Sequence, residues 1–185
     1  MNHAEMHLSF SLQVQVADEC HAAPDPKALS DSFAACLAAL AQNLPKDQAA
    51  KLERDICVRL CGDTESLQLN FDYRGRATPT NVLSFGGLSE EQDQSAWIEE
   101  GLNKKPPVLP LGDLAICWSV VGAEAAEQGK SLENHLRHLF LHGVLHLLGF
   151  DHEAEVAANE MEQLETATLV LLNIPNPYAD TAENG

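Results

Sequence analysis

Cations are scarce in this chain: 11 lysines and arginines stand against 28 aspartates and glutamates, for a formal net charge of −17 at pH 7. Broad, nonspecific attraction to nucleic acid is therefore disfavoured, because many phosphate contacts need many cations. The first residues, MNHAEMHLSFSLQVQVADEC, have neither the basic start nor the apolar block of a signal peptide. No apolar run approaches the roughly 20 residues of a membrane-spanning helix, and the expectation is a soluble cytoplasmic protein. A disulfide framework is missing too. Cys20, Cys36, Cys57, Cys61 and Cys117 are odd in number and irregularly spaced in apolar segments, which fits reduced, mostly buried thiols. Cys57 and Cys61 have C-x-x-x-C spacing, but Ile56, Val58 and Leu60 alternate with them as in a strand, and packing is the better reading. With no repeat, low-complexity block or linker, residues 1–185 are expected to form one domain, large enough to bury a core without staples.

Strand and helix patterns interleave along the chain. Residues 7–16, HLSFSLQVQV, alternate apolar and polar positions as a half-buried strand does. PDPKALSDSFAACLAALAQNL is an Ala/Leu-rich helix closed by Pro45. ICVRLCG is a second strand, and DTESLQLNFDYRG a short helix ending before Gly75. TNVLSF, residues 80–85, is a third strand and LAICWSVV a fourth; between them, residues 87–110 form an acidic surface excursion. GAEAAEQGK belongs to one helix and SLENHLRHLFLHGVLHLLG to the next, with Ser131 as N-cap. A last helix runs from about Glu153 to Leu172, Pro175 stops it, and the tail at 175–185 is expected to be mobile. The fold class is α/β or α+β, a small, mostly four-stranded sheet packed with helices.

Chemistry concentrates in HGVLHLLGFDH, residues 142–152. At about 100° per residue, His135, His138, His142 and His146 share an arc of roughly 80°, with Leu136, Phe140, Val144, Leu147 and Leu148 opposite. The pair His142 and His146 is followed by Gly149, which can end the helix and turn the chain, and by His152, which can then face the same point. Three neutral imidazoles leave a fourth position open, the arrangement of a catalytic zinc, although imidazole also suits nickel, copper or iron. Zinc endopeptidases with this spacing carry a glutamate base directly after the first histidine. Here that position is Gly143. His135 and His138 are read as noncatalytic, whether in the cleft or exposed, and Asp151 either orients His152 or caps the turn.

The motif and its neighbours together resemble a known family. HGVLHLLGFDHE is similar to the H-G-x-L-H-L-x-G-[YF]-D-H signature of the YbeY family of bacterial endoribonucleases, and LNFDYRGRATPTNVLSF, LGDLAI and EMEQLE match in order, from about Cys57 to Leu172. The resemblance implies a metal-dependent, single-strand-specific endoribonuclease acting in ribosomal RNA maturation, at the 3′ end of the 16S RNA, and in ribosome quality control. It implies a metal on His142, His146 and His152, for which Zn²⁺, one per chain, is the first choice from the imidazole donors, and a functional arginine at Arg74. Single-stranded ribosomal RNA and a ribosome or small-subunit particle are the implied partners. Two positions depart from the family's usual T-D-V-L-S-F-P: Asn81 replaces an aspartate and Gly86 a proline. The acidic excursion is also longer than usual.

A bound metal lowers the pKa of its water and polarises a phosphoryl oxygen, so hydrolysis need not use the protease glutamate. Arg74 can pair with a phosphate and stabilise charge developing at phosphorus, which places it with His142 in the catalytic machinery. Arg76, Lys104 and Lys105 are less specific candidates for backbone phosphates, and Thr80, Ser84 and Asp113 read as support for the fold. A noncatalytic ribosome-assembly factor with a structural metal is the alternative, and a zinc peptidase, weakened by Gly143, comes after it. The strong acidity predicts that RNA is met within a ribosome or with a protein partner's help.

Overall fold

A computed structural model describes residues 9–87, 110–152 and 154–178 of the chain. Among them, four strands and six helices follow in the order β1 (Leu12–Val16), α1 (Pro26–Asn43), α2 (Lys46–Lys51), β2 (Ile56–Cys61), α3 (Asp63–Arg74), β3 (Val82–Gly86), β4 (Gly112–Cys117), α4 (Trp118–Glu127), α5 (Leu132–Leu147) and α6 (Glu155–Leu171). The strands make one mixed sheet in the order β1-β2-β4-β3, in which β1, β2 and β4 are parallel and β3 is the antiparallel edge.

Register explains the core. Ile56, Val58 and Leu60 of β2 align with Leu12, Val14 and Val16 of β1 and with Gly112, Leu114 and Ile116 of β4, which makes one apolar face continuous across three strands. Helices α1 and α5 cover that face, and Phe33 and Phe140 stack between them with ring centroids 4.2 Å apart. The opposite face is thinner: Cys61, Leu83, Ala115 and Cys117 pack there with Leu69 of α3. Cys57 and Cys61 lie four residues apart along one strand, about 13 Å, too far to share a metal. All five cysteines are free thiols.

Two segments differ from the sequence expectation. The fourth strand stops at Cys117, and Trp118–Val121 open α4 instead. An apolar run this short carries no decisive period. Pro45 closes α1 as expected but also caps α2, a six-residue helix too short to show a pattern. Of the tail placed at 175–185, Pro175–Tyr178 are described, and the Tyr178 hydroxyl donates to Glu165. Residues 88–109 of the excursion, with Lys104 and Lys105, lie outside the described residues. Its two ends are joined by the Gly87 N–H donating to the Leu111 carbonyl at 3.0 Å. No helix among the described residues is long and apolar enough to cross a membrane.

Candidate metal centre

Helix α5 presents the histidines. Ser131 caps it, its hydroxyl oxygen accepting the Asn134 N–H, and Leu136, Phe140, Val144 and Leu145 bury one side in the core. The helix ends at Leu147; Gly149 takes φ +94°, and the Phe150 N–H returns to the Leu145 carbonyl at 3.0 Å. Glycine tolerates that left-handed geometry without a Cβ clash. The reversal brings His152 back, and one ligand atom each from His142, His146 and His152 lies within 4.8 Å of the others.

The hydrogen bonds decide which nitrogens are available. His142 Nδ1 donates to Glu165 Oε1 at 2.8 Å and His146 Nδ1 to the Phe150 carbonyl at 3.1 Å. A carboxylate and a carbonyl only accept, so in the neutral rings both protons sit on Nδ1 and both Nε2 atoms are bare. Those Nε2 atoms face each other at 3.1 Å. Two lone pairs at that separation repel unless something positive lies beside them, and a cation fits. Burial, and next the neighbouring His142, push the His146 pKa below its ordinary value, which keeps this imidazole neutral and ready to ligate.

Behind His142 stands Glu165, fully buried. Its carboxylate also accepts from His138 Nε2 at 3.1 Å and from the Tyr178 hydroxyl. Burial alone would raise its pKa, but the hydrogen bonds from His138, His142 and Tyr178 outweigh it and hold the carboxyl at about 2. The carboxylate thus fixes the tautomer and the orientation of His142. His138 serves this network and does not line the cleft. His135 is buried as well, its Nε2 at 2.8 Å from Glu124.

The cleft in front of the histidines has a volume of about 590 Å³ and is also lined by Arg74, Arg76, Asn81 and Ser84. Both arginines are exposed and come from the end of α3. Gly75 ends that helix at φ +68°, the Gly75 N–H bonding the Phe71 carbonyl and the Arg76 N–H the Asn70 carbonyl. The following loop is tied back onto α3 by Asn70 Nδ2 to the Thr78 carbonyl and by a reciprocal pair between Ser66 and Thr80. Asp151 Oδ1 accepts the His152 backbone N–H at 2.6 Å.

The sequence model of the family described as endoribonuclease YbeY matches residues 15–173. This chain belongs to the YbeY family. The endoribonuclease YbeY of Aromatoleum aromaticum is 47% identical over 131 residues, 71% of this chain and 74% of its own length. That of Xanthomonas oryzae pv. oryzae is 50% identical over 127 residues, 69% and 73% of the two chains. The solution structure of TM1509 from Thermotoga maritima has the same fold, with a TM-score of 0.50 at 20% identity over 94% of this chain and 99% of that one.

Within this YbeY-family chain, the two departures from the signature find a setting. Asn81 Nδ2 donates to both carboxylate oxygens of Glu124 at 3.2 Å, while its Oδ1 accepts the Val82 N–H at 2.7 Å. An amide supplies the donor that a carboxylate lacks beside Glu124. Asn81→Asp should cost about 1 kcal/mol at neutral pH, the lower end for an unpaired charge because Glu124 is 29% exposed. The deficit relative to wild type should shrink as pH falls and one carboxylate protonates; urea unfolding at pH 7 and pH 4 reads it. Gly86 pairs with Gly112 where β3 ends.

Gly143 accounts for the missing protease base. A Cβ there would lie 2.8 Å from Leu114 Cδ2 and 3.3 Å from Ser84 Oγ, so the position faces the sheet. Ser84 itself donates to the Gly143 carbonyl at 3.1 Å, locking β3 to α5. Glu165, Glu124 and Tyr178 received no role from the sequence. A signal for Glu165 existed, since Met161, Glu165, Thr168 and Leu169 are the buried residues of α6 and an acid occupies a core position.

Proposed function

We propose that this chain is a zinc-dependent endoribonuclease that cleaves single-stranded regions of ribosomal RNA in the cytoplasm, foremost at the 3′ end of the 16S RNA. The observation that carries the reading is the pair of bare Nε2 atoms on His142 and His146, with His152 beside them, in a cleft that also holds Arg74 and Arg76 of an otherwise acidic chain. The name shared by its relatives, endoribonuclease YbeY, agrees with that arrangement.

Three neutral imidazoles suit zinc and leave its fourth position open. When bound, the metal supplies a water of lowered pKa and polarises a phosphoryl oxygen. His142, His146 and His152 hold it; Glu165 and the Phe150 carbonyl orient the first two rings. Arg74 pairs with the scissile phosphate and stabilises the charge that develops there, and Arg76 takes a neighbouring phosphate. With a net charge of −17, free RNA is repelled over most of the surface, so the substrate is presented by a ribosome or small-subunit particle.

Cleavage of a labelled single-stranded RNA by metal-quantified wild type, beside folded His142→Ala and Arg74→Ala, tests the reading. His142→Ala should lose both metal and activity. Arg74→Ala should keep the metal and lose activity by about 10²- to 10³-fold, as removal of one donor to a transition-state oxyanion does. Equal activity in all three proteins, each folded and metal-loaded, would sink the proposal and leave a binding factor with a structural metal.

A further inference from the structure

Helix α3 ends in Phe71-Asp72-Tyr73-Arg74, and Tyr73 is 69% exposed. Tyrosine usually buries its ring and wets only its hydroxyl. Here the ring meets Phe85 of β3 edge-on, with centroids 4.8 Å apart and planes at 66°. Phe85 props Tyr73 from one side and leaves ring surface open to solvent. Tyr73 directly precedes Arg74, which lines the cleft, while Phe85, next to Ser84 on the edge strand β3, faces the other side of the sheet, so the pair flanks the cleft around that edge rather than lining it.

We propose that Tyr73, propped by Phe85, is a stacking platform for an unpaired nucleobase of the RNA strand whose phosphate meets Arg74. The proposal rests on the nuclease reading above and adds to it a subsite for the base. A chain of net charge −17 whose cleft is lined by two arginines among the described residues draws little affinity from phosphate contacts. Stacking on an aromatic ring supplies binding that salt and net charge barely touch, and it accepts any base because every base has a π face. Phe85 is paired in register with the exposed Asp113, whose carboxylate disfavours a phosphate there and tolerates a neutral base. A base inside a duplex has both faces covered by its neighbours. Tyr73 therefore gives the cleft a physical reason to choose single strands.

Phe71 provides the control. It is 54% exposed, but two residues earlier on the helix it points about 200° away, toward the face that carries Leu67. The experiment uses full-length, metal-loaded protein and a short unstructured labelled RNA. Tyr73→Ala and Tyr73→Leu should raise KM about tenfold with kcat within about twofold, whereas Tyr73→Phe, Tyr73→Trp and Phe71→Ala stay near wild type. Leucine keeps apolar contact with Phe85 but has no π face, so its loss separates stacking from packing. An abasic nucleotide moved along the RNA should weaken wild type at one position and leave Tyr73→Ala indifferent there.

Unchanged KM in Tyr73→Ala, an equal loss in Tyr73→Phe or Phe71→Ala, or no abasic position that distinguishes the two proteins overturns the platform. RNA binding is followed separately, as fluorescence quenching in Tyr73→Trp beyond that of wild type. Quenching without cleavage by any form sinks the nuclease reading and keeps the platform; cleavage without quenching does the reverse.

Discussion

Glu165→Gln should weaken metal binding by about 10- to 100-fold, the usual cost of losing a carboxylate behind a metal-bound histidine. Glutamine cannot reproduce the contacts of the acid. With its carbonyl toward His142, its NH₂ faces His138 Nε2 and the Tyr178 hydroxyl, which now donate to Glu165 Oε2. With its NH₂ toward His142, it asks Nδ1 to accept, which moves the ring proton onto Nε2 and blocks the ligating lone pair. Chelator-competition titration measures the affinity, and ¹⁵N shifts of the His142 ring in the metal-free protein read the tautomer without recourse to activity. Wild-type affinity in a folded Glu165→Gln protein would show that His142 needs no carboxylate to hold it.

The same substitution has an acid signature. The folded carboxyl is held at about 2, below its ordinary value of 4.5. Its contribution to stability is therefore complete above the unfolded value and is lost as pH falls from about 4.5 toward 2. Metal-free wild type should lose stability across that window more steeply than Glu165→Gln, which has no carboxyl to protonate. Denaturant unfolding at pH 7 and at successive values below 4.5 measures the difference.

Legibility in the sequence followed distance along the chain. His142, His146, Gly149 and His152 occupy eleven residues, and one helix period with one turn sufficed to bring them together. Arg74 was singled out through the YRG segment, and both it and Arg76 line the cleft in front of the histidines. The carboxylates escaped because their partners are remote: Glu165 lies 23 residues from His142, and Glu124 lies 43 from Asn81. Such pairs depend on how α6 and α4 pack on α5, which no local pattern encodes. WSVV failed for the opposite reason, since so short a segment, three of its four residues apolar, suits a buried strand and a helix start equally. The edge position and reversed direction of β3 are likewise products of tertiary assembly, yet they put Ser84 into the cleft and Phe85 under Tyr73.

Gly143→Glu, which completes the protease-like sequence, should prevent stable folding and should not produce a peptidase. The first carbon added at this position already meets Leu114, a core residue 1% exposed, at 2.8 Å. For Gly143→Ala, overpacking costs about 1–3 kcal/mol, and alanine's helix propensity returns up to about 1 kcal/mol. The alanine variant should therefore fold and melt only a few degrees below wild type. Glutamate adds a carboxylate beside Leu114 at a buried position, a further cost of several kcal/mol where it is left unpaired. Against a typical total of about 5–15 kcal/mol, that sum is decisive. Its side chain also threatens the Ser84–Gly143 bond that joins β3 to α5. Thermal unfolding of the alanine and glutamate variants beside wild type tests the argument. A Gly143→Glu protein as stable as wild type, or one that hydrolyses peptides, would mean that this face of α5 opens onto the cleft. In the structure Gly143 faces Leu114 and Ser84 instead, and the histidines share their cleft with Arg74, at the end of α3, and Arg76, just beyond it.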